Sequence, residues 1–235
     1  MKSLAVIPAR GGSKRIRGKN IKELCGKPLI AFTIEEALQT DMIDRVIVST
    51  DDINIANIAR EYGAEVPFIR PSYLAQDHVP DQPVLLNALQ SLYDIDNYQP
   101  DIVLNLRPTS PFKTCSIIER VLSEFSNLDI DMVRTMTKSE GVYHPYWMYE
   151  LSDDGMAKQF TQNIDMNDFH QSQLLPPIYR INGVVDAYRT QLIYDGDILS
   201  GYIKGLVISE MESIDIDTDF DFELCKVMMQ RKKEY

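Results

Sequence analysis

The chain is poor in the residues that build disulfide frameworks, metal cages and membrane spans. Its three cysteines, Cys25, Cys115 and Cys225, are scattered, odd in number and form no Cys-x-x-Cys pair. They read as reduced core thiols in a cytoplasmic protein. The three histidines, His78, His144 and His170, have no partner at metal-ligand spacing and read as surface or core residues. No apolar run approaches the ~18 residues of a membrane span, and Leu4-Ala5-Val6-Ile7 is too short for a signal-peptide core. Positive charge is also scarce. A net charge of -11 argues against a general nucleic-acid binder and against a membrane-surface protein, so neither partner is expected.

Acid, in turn, is absent from one end. The first 22 residues contain no Asp or Glu but seven basic side chains, Lys2, Arg10, Lys14, Arg15, Arg17, Lys19 and Lys22, which leaves about -18 on the rest of the chain. The apolar run Leu4–Ile7 predicts a buried strand that feeds this basic loop, and a helical pattern begins at Pro28. Gly11 and Gly12 allow close backbone approach to a ligand, and Arg10 and Lys19 supply fixed cations. Together they predict a polyphosphate cradle. It is not a P-loop, because five residues separate Gly12 from Gly18 and Lys19 is followed by Asn20; G-x-G-x-x-G is missing as well. A solvated loop or a nucleic-acid contact are the alternatives. The position at the C-terminal end of a first strand, where open α/β sheets bind ligands, favours phosphate.

At 235 residues and 44% hydrophobic, the chain can form one large α/β domain, expected over 1–235, or a domain with an appendage. Arg45–Thr50 predicts a second buried strand, and Asp51 or Asp52 can cap a helix that presents Ile55, Ile58, Ala59 and Tyr62 on one face before Gly63 ends it. A short strand is expected near Glu65–Ile69, followed by Arg70-Pro71, a polar loop with Asp77 and His78, and a helix carrying Leu85, Ala88, Leu89 and Leu92. Asp101–Leu106 predicts another strand, which ends in Arg107-Pro108-Thr109-Ser110-Pro111. The two prolines stiffen a turn that lifts Arg107, Thr109 and Ser110 over the same edge as the basic loop. A helix burying Ile117, Ile118, Val121, Leu122 and Phe125 precedes a strand at Asp131–Thr137. Alternating strands and helices point to a mainly parallel sheet. From about Ser139 to Pro177 the alternation stops and aromatics accumulate, which suggests a lid, a subunit interface or a local core. Tyr179–Val185 returns to the sheet.

Ser213-Ile214-Asp215-Ile216-Asp217-Thr218 alternates strictly. In an extended segment both isoleucines face one way and both carboxylates the other, with Cα atoms about 6–7 Å apart. Two acids so placed can converge on one hydrated Mg2+ or on a close pair, or can simply be solvent-facing residues beside a helix cap; the cationic cradle elsewhere favours the metal. A last helix from about Asp219 to Arg231 is expected to bury Phe220, Leu224, Val227 and Met228.

In combination, Ile7–Lys14, Gly18-Lys19-Asn20, Gly26–Leu29, Val48–Asp51, Arg107–Pro111, Tyr179–Gly183 and Ser213–Thr218 resemble the acylneuraminate cytidylyltransferases, or CMP-sialic acid synthetases, collinearly over nearly the whole chain. The resemblance implies a Rossmann-like nucleotide-diphospho-sugar transferase fold and a homodimer in which 139–178 is the dimerisation or lid excursion. It also implies CMP transfer from CTP to an acidic nine-carbon sugar, with release of pyrophosphate. Carried over by position, Ala9, Arg10, Gly11, Ser13, Lys19, Asn20 and Arg70 are the nucleotide-binding residues, and Arg10, Lys19 and Asp217 are the catalytic ones. Asp215 and Asp217 hold Mg2+, while Arg107, Thr109, Arg180 and Asn182 form the sugar side. Two positions depart from the pattern: Arg107 stands where the sialic acid enzymes commonly carry Gln, and Ser172 where many carry Arg. Legionaminate, pseudaminate or another acidic sugar is therefore as credible an acceptor as N-acetylneuraminate. Two other functions compete with this one: a nucleotidyltransferase using a different NTP on another sugar or sugar phosphate, and a catalytically silent nucleotide-sugar binding module.

Overall fold

The computed structural model describes residues 1–234, with side chains described through Arg231. Strand β1 (Ser3–Pro8) is followed by the basic loop and a two-residue hairpin, β2 (Glu23–Leu24) and β3 (Lys27–Pro28). Helix α1 (Leu29–Leu38), β4 (Arg45–Ser49), α2 (Ile53–Glu61), α3 (Asp81–Asp96), β5 (Ile102–Asn105), α4 (Cys115–Glu124) and β6 (Met132–Lys138) come next. A small hairpin, β7 (Tyr149–Leu151) with β8 (Ala157–Gln159), precedes β9 (Tyr179–Arg189), α5 (Thr190–Asp195), β10 (Ile203–Val207) and α6 (Asp219–Glu234).

One six-stranded sheet runs β10-β6-β9-β5-β1-β4. It is mostly parallel: β1 pairs with both β4 and β5, and β10 with β6, in parallel, while the long β9 lies antiparallel between β5 and β6. Strands sandwiched between helices are buried on both sides, which is why Leu4–Ile7 reads as a continuous apolar run and all four are fully buried. One core joins the sheet to residues of α1, α2 and α4, and a second joins its other face to α3 and α5. Asp52 caps α2, its carboxylate accepting from the amides of Asn54 (2.7 Å) and Ile55 (3.4 Å). Among the described residues, no helix is long and apolar enough to cross a membrane.

A third, smaller core decides where the site lies. Ile16 from the middle of the basic loop, Leu24, Leu29, Phe112, Ile216, Phe222 and Cys225 pack together. Ile216 is fully buried there, whereas Asp215 is exposed and Asp217 half-exposed, so the alternation read from the sequence holds. The segment is extended but joins no sheet. Its amide anchor is Ile216 N–H to the Thr109 carbonyl, at 2.8 Å.

Three expectations need correction. Glu65–Ile69 is no strand; it contributes one bridge, Ile47 to Glu65. Helix α6 buries Phe222 and Cys225 and leaves Phe220, Leu224 and Val227 exposed, because it packs on the third core beside the N-terminal loop rather than on the sheet. Of the cysteines only Cys225 is fully buried. The stretch between β6 and β9 is mainly single 3-10 turns around the β7–β8 hairpin, with Val142, Tyr143, Leu151, Met156 and Phe160 exposed. His144 is buried within it, with Nε2 3.1 Å from the Pro176 carbonyl oxygen.

Candidate active site

A cleft of about 690 Å³ opens over the C-terminal ends of β1 and β5. It is lined from the basic loop by Arg10, Ser13, Lys14, Arg15, Lys19 and Asn20, from the following connections by Arg70, Asp77 and Asp81, and from the later chain by Arg107, Thr109 and Asp217. The two ends of the chain meet here. Lys19 Nζ donates to the Ile216 carbonyl (2.7 Å) and to Asp217 Oδ1 (3.1 Å), while Arg15 pairs with Asp217 Oδ2 at 3.1 Å. Both Asp217 oxygens therefore face cations. The cause is the buried Ile16–Ile216 packing, which turns the polar neighbours of each isoleucine outward into the same cleft.

The loop itself is closed by Asn20, which is buried and donates from Nδ2 to the Arg10 carbonyl at 3.0 Å. Gly11 also serves a partner within the protein. Its N–H is bound by Asp51 Oδ1 (2.9 Å), and a Cβ built on it would fall 2.7 Å from Asp52 Oδ2. One close approach that requires glycine here is to Asp52 at the N-terminus of α2. Ala9 is fully buried, and its N–H bonds the Ser49 carbonyl at 2.9 Å. Of the nucleotide set, the side chains that reach the cleft are those of Arg10, Ser13, Lys19, Asn20 and Arg70.

Arg70 is the most electrostatically exacting of these. It is 4% exposed, donates to the carbonyls of Ser49 (2.8 Å) and Leu74 (3.5 Å), leaves Nε without a partner, and has no carboxylate at ion-pair distance among the described residues. Burial lowers its pKa, with Asp51 opposing. A buried guanidinium on a cleft wall without an ion-pair partner is a seat for an anion.

The proposed sugar side is less unified. Arg107 lines the cleft, yet its guanidinium is held by Asp81 and, at 3.3 Å, by Asp186, which also accepts from Arg134 Nε at 3.1 Å. Its charge is already answered inside the protein. Thr109 lines the cleft and supports Ile216 through its carbonyl. Arg180 stands apart from the cleft lining and donates to Glu210 Oε2 (2.7 Å) and Ser213 Oγ (3.3 Å). Asn182 is buried, and its amide is consumed by Thr135 (2.6 Å), Val184 N–H (3.1 Å) and Thr137 (2.9 Å), where it stitches β9 to β6 across the irregularity in their register.

Asp215 lies just outside the cleft lining, exposed, with Ser110 Oγ at 3.4 Å from Oδ1. Among the described residues no group of three or more His, Cys, Asp or Glu is placed to hold a metal. Two carboxylates still fit Mg2+, which binds through one or two carboxylates and takes its other oxygens from water and phosphate.

Three residues at this site escape sequence reading. Asp77 and Asp81 pair with Arg10 and Arg107 across long chain separations. Lys113 lies beneath the Pro-stiffened turn, 2% exposed, donating to the Arg107 carbonyl at 2.9 Å. Burial pulls its pKa from the ordinary 10.5 to about 7, against the opposing pull of Asp215. The folded protein thus releases this proton near neutrality, while the unfolded chain holds it to about 10.5. Between those values the unfolded state binds more protons, so the stability contributed by Lys113 rises with pH and is lost as pH falls through about 7. The melting temperature of wild type minus that of Lys113→Met is expected to shift in the positive direction as pH rises from about 7 to about 9, as the cost of the buried charge is relieved. A constant difference would show that the lysine keeps its ordinary pKa.

Residues 4–197 match the family model described as cytidylyltransferase. The chain belongs to the cytidylyltransferase family. It is thereby a nucleotidyltransferase, and the cleft is where its catalytic residues are to be sought. Along its full length this cytidylyltransferase is 35% identical to a CMP-N,N'-diacetyllegionaminic acid synthase of Legionella pneumophila, covering 99% of that protein. It is 31% identical, over 100% of this chain and 99% of the relative, to a pseudaminic acid cytidylyltransferase of Campylobacter jejuni. An N-acylneuraminate cytidylyltransferase of Escherichia coli is also 31% identical over 98% of this chain, which spans 53% of that longer protein. In fold it is similar to a CMP:2-keto-3-deoxy-manno-octonic acid synthetase solved with CTP, at a TM-score of 0.73 and 19% identity over 99% of this chain and 100% of that one. The Rossmann-like, mostly parallel architecture expected from the sequence is therefore present.

Proposed function

We propose that this cytidylyltransferase moves CMP from CTP to the anomeric hydroxyl of a nonulosonic acid and releases pyrophosphate, using Mg2+. The observation that carries the reading is the meeting of Lys19 with Asp217, at 3.1 Å, in a cleft that is also lined by Arg10 and by the buried Arg70, which has no ion-pair partner among the described residues. Relatives named for legionaminic, pseudaminic and N-acylneuraminic acids support the acceptor class.

In this reading Arg10 and Lys19 hold the β- and γ-phosphates and stabilise the charge that builds on the leaving pyrophosphate. Arg70 anchors the nucleotide, and Asn20, which also lines the cleft, is assigned the contact to the base. Asp215 and Asp217 would hold Mg2+, which when bound neutralises the triphosphate and makes the α-phosphorus electrophilic. Arg180, beside Ser213 and paired with the exposed Glu210, is the cation assigned to the sugar carboxylate, since Arg107 is engaged by two aspartates. The exposed apolar residues of 139–178, Val142, Tyr143, Leu151, Met156 and Phe160 among them, suit burial against a second copy of the chain, and we assign this stretch to homodimer contact and cover of the site. The cellular location that fits is the cytoplasm.

A panel of CTP, GTP, UTP and ATP, each with legionaminate, pseudaminate and N-acetylneuraminate and with Mg2+, tests the reading by pyrophosphate release. Turnover is expected with CTP and a nonulosonic acid. Release with another nucleotide and a sugar phosphate, or CTP binding without release at saturating acceptor, would contradict it.

A further inference from the structure

The tip of the loop between Arg70 and α3 inserts a carboxylate into the cation cradle. Asp77 Oδ1 lies 2.6 Å from Arg10 Nη1, and its Oδ2 pairs with Lys14. All three residues line the cleft. The loop is braced behind its tip by Pro71, a 3-10 turn at Ser72–Ala75 and Pro80, and Arg10 also reaches the Ala75 carbonyl at 3.4 Å. The two ion pairs hold the Asp77 carboxylate below the usual carboxylate range, Lys14 contributing most and Arg10 next. So held, Asp77 is charged at neutral pH and faces the same two cations that a phosphate tail would need.

From this geometry we infer that Asp77 is an internal competitor for the polyphosphate seat. A ligand that reaches Arg10 and Lys14 must displace the carboxylate; a ligand that stops short of them need not. The penalty therefore falls on pyrophosphate and on nucleoside triphosphates and spares nucleoside monophosphates. It weakens the hold on the leaving pyrophosphate, whose place Asp77 retakes. Asp77 is in this sense a residue that sets which end of the nucleotide supplies affinity. The inference rests on the nucleotide reading of the cleft, and its test separates the two.

Pyrophosphate, CTP and CMP are titrated calorimetrically into wild type, Asp77→Asn and Asp77→Ser, with melting curves to establish that each variant is folded. Two partly exposed ion pairs make the expected tightening for pyrophosphate and CTP roughly three- to tenfold in the variants, with CMP unchanged. Unchanged or weaker pyrophosphate binding by both folded variants would overturn the inference while leaving the nucleotide reading standing. Equal tightening of all three ligands would also overturn it, since that is the response to a diffuse change in charge rather than to a vacated seat. Wild type that binds neither CTP nor pyrophosphate would remove the nucleotide reading, and this inference with it.

Discussion

Asp217→Ala is expected to abolish CMP transfer, lowering kcat by at least about a hundredfold, the scale on which loss of one group aimed at developing charge is felt. The fold should survive. In the ligand-free protein Asp217 is half-exposed and pairs with Lys19 and Arg15, and such pairs are worth about 0–1 kcal/mol each. Its segment is anchored by the buried Ile216 and the bond from Ile216 N–H to Thr109, neither of which the substitution touches. A melting point within a few degrees of wild type together with lost turnover is the expected pair of results, checked by calorimetry and by pyrophosphate release. Retained turnover at saturating Mg2+ would remove Asp217 from the metal site.

Lys19→Met is expected to cost about 10²–10³ in kcat/KM for CTP, for the complementary reason. Its ammonium is the cation on which the two ends of the chain converge, bonded to the Ile216 carbonyl and to Asp217, with only 13% of its side chain exposed. Methionine keeps the stem packed but leaves that carbonyl and a phosphate oxygen without their shared donor. Some stability should be lost as well, unlike in Asp217→Ala, because the Ile216 carbonyl is part of the anchor. A kcat/KM within threefold of wild type, measured by pyrophosphate release over a range of CTP concentrations, would exclude a role for Lys19 at the triphosphate.

The parts of this site that could be read from the chain are those fixed by local rules. An apolar run followed by a cation-rich, acid-free loop located the strand end and one cation-lined wall of the cleft, and strict alternation placed Ile216 inward and Asp217 outward although no sheet enforces it. What could not be read are the pairings that the tertiary fold alone creates. Asp77 with Arg10, and Asp81 and Asp186 with Arg107, join residues with no periodic relation. At Gly11 the sequence records that glycine is needed but not that Asp52 approaches it. Asn182's bonds to Thr135 and Thr137, which stitch β9 to β6, could not be read from the chain either. On α6 the apolar residues allow more than one face, and only the position of the third core selects Phe222 and Cys225 over Phe220, Leu224 and Val227.

The shared action of the chain's two ends is tested most directly by a double-mutant cycle on kcat/KM for CTP with Mg2+, using wild type, Lys19→Met, Asp217→Ala and the double variant. If both side chains grip one triphosphate as a unit, the double variant should lose little more than the worse single variant, as residues that act together do. If the two losses multiply instead, Lys19 and Asp217 work independently and the picture of one site closed from both ends of the chain is wrong.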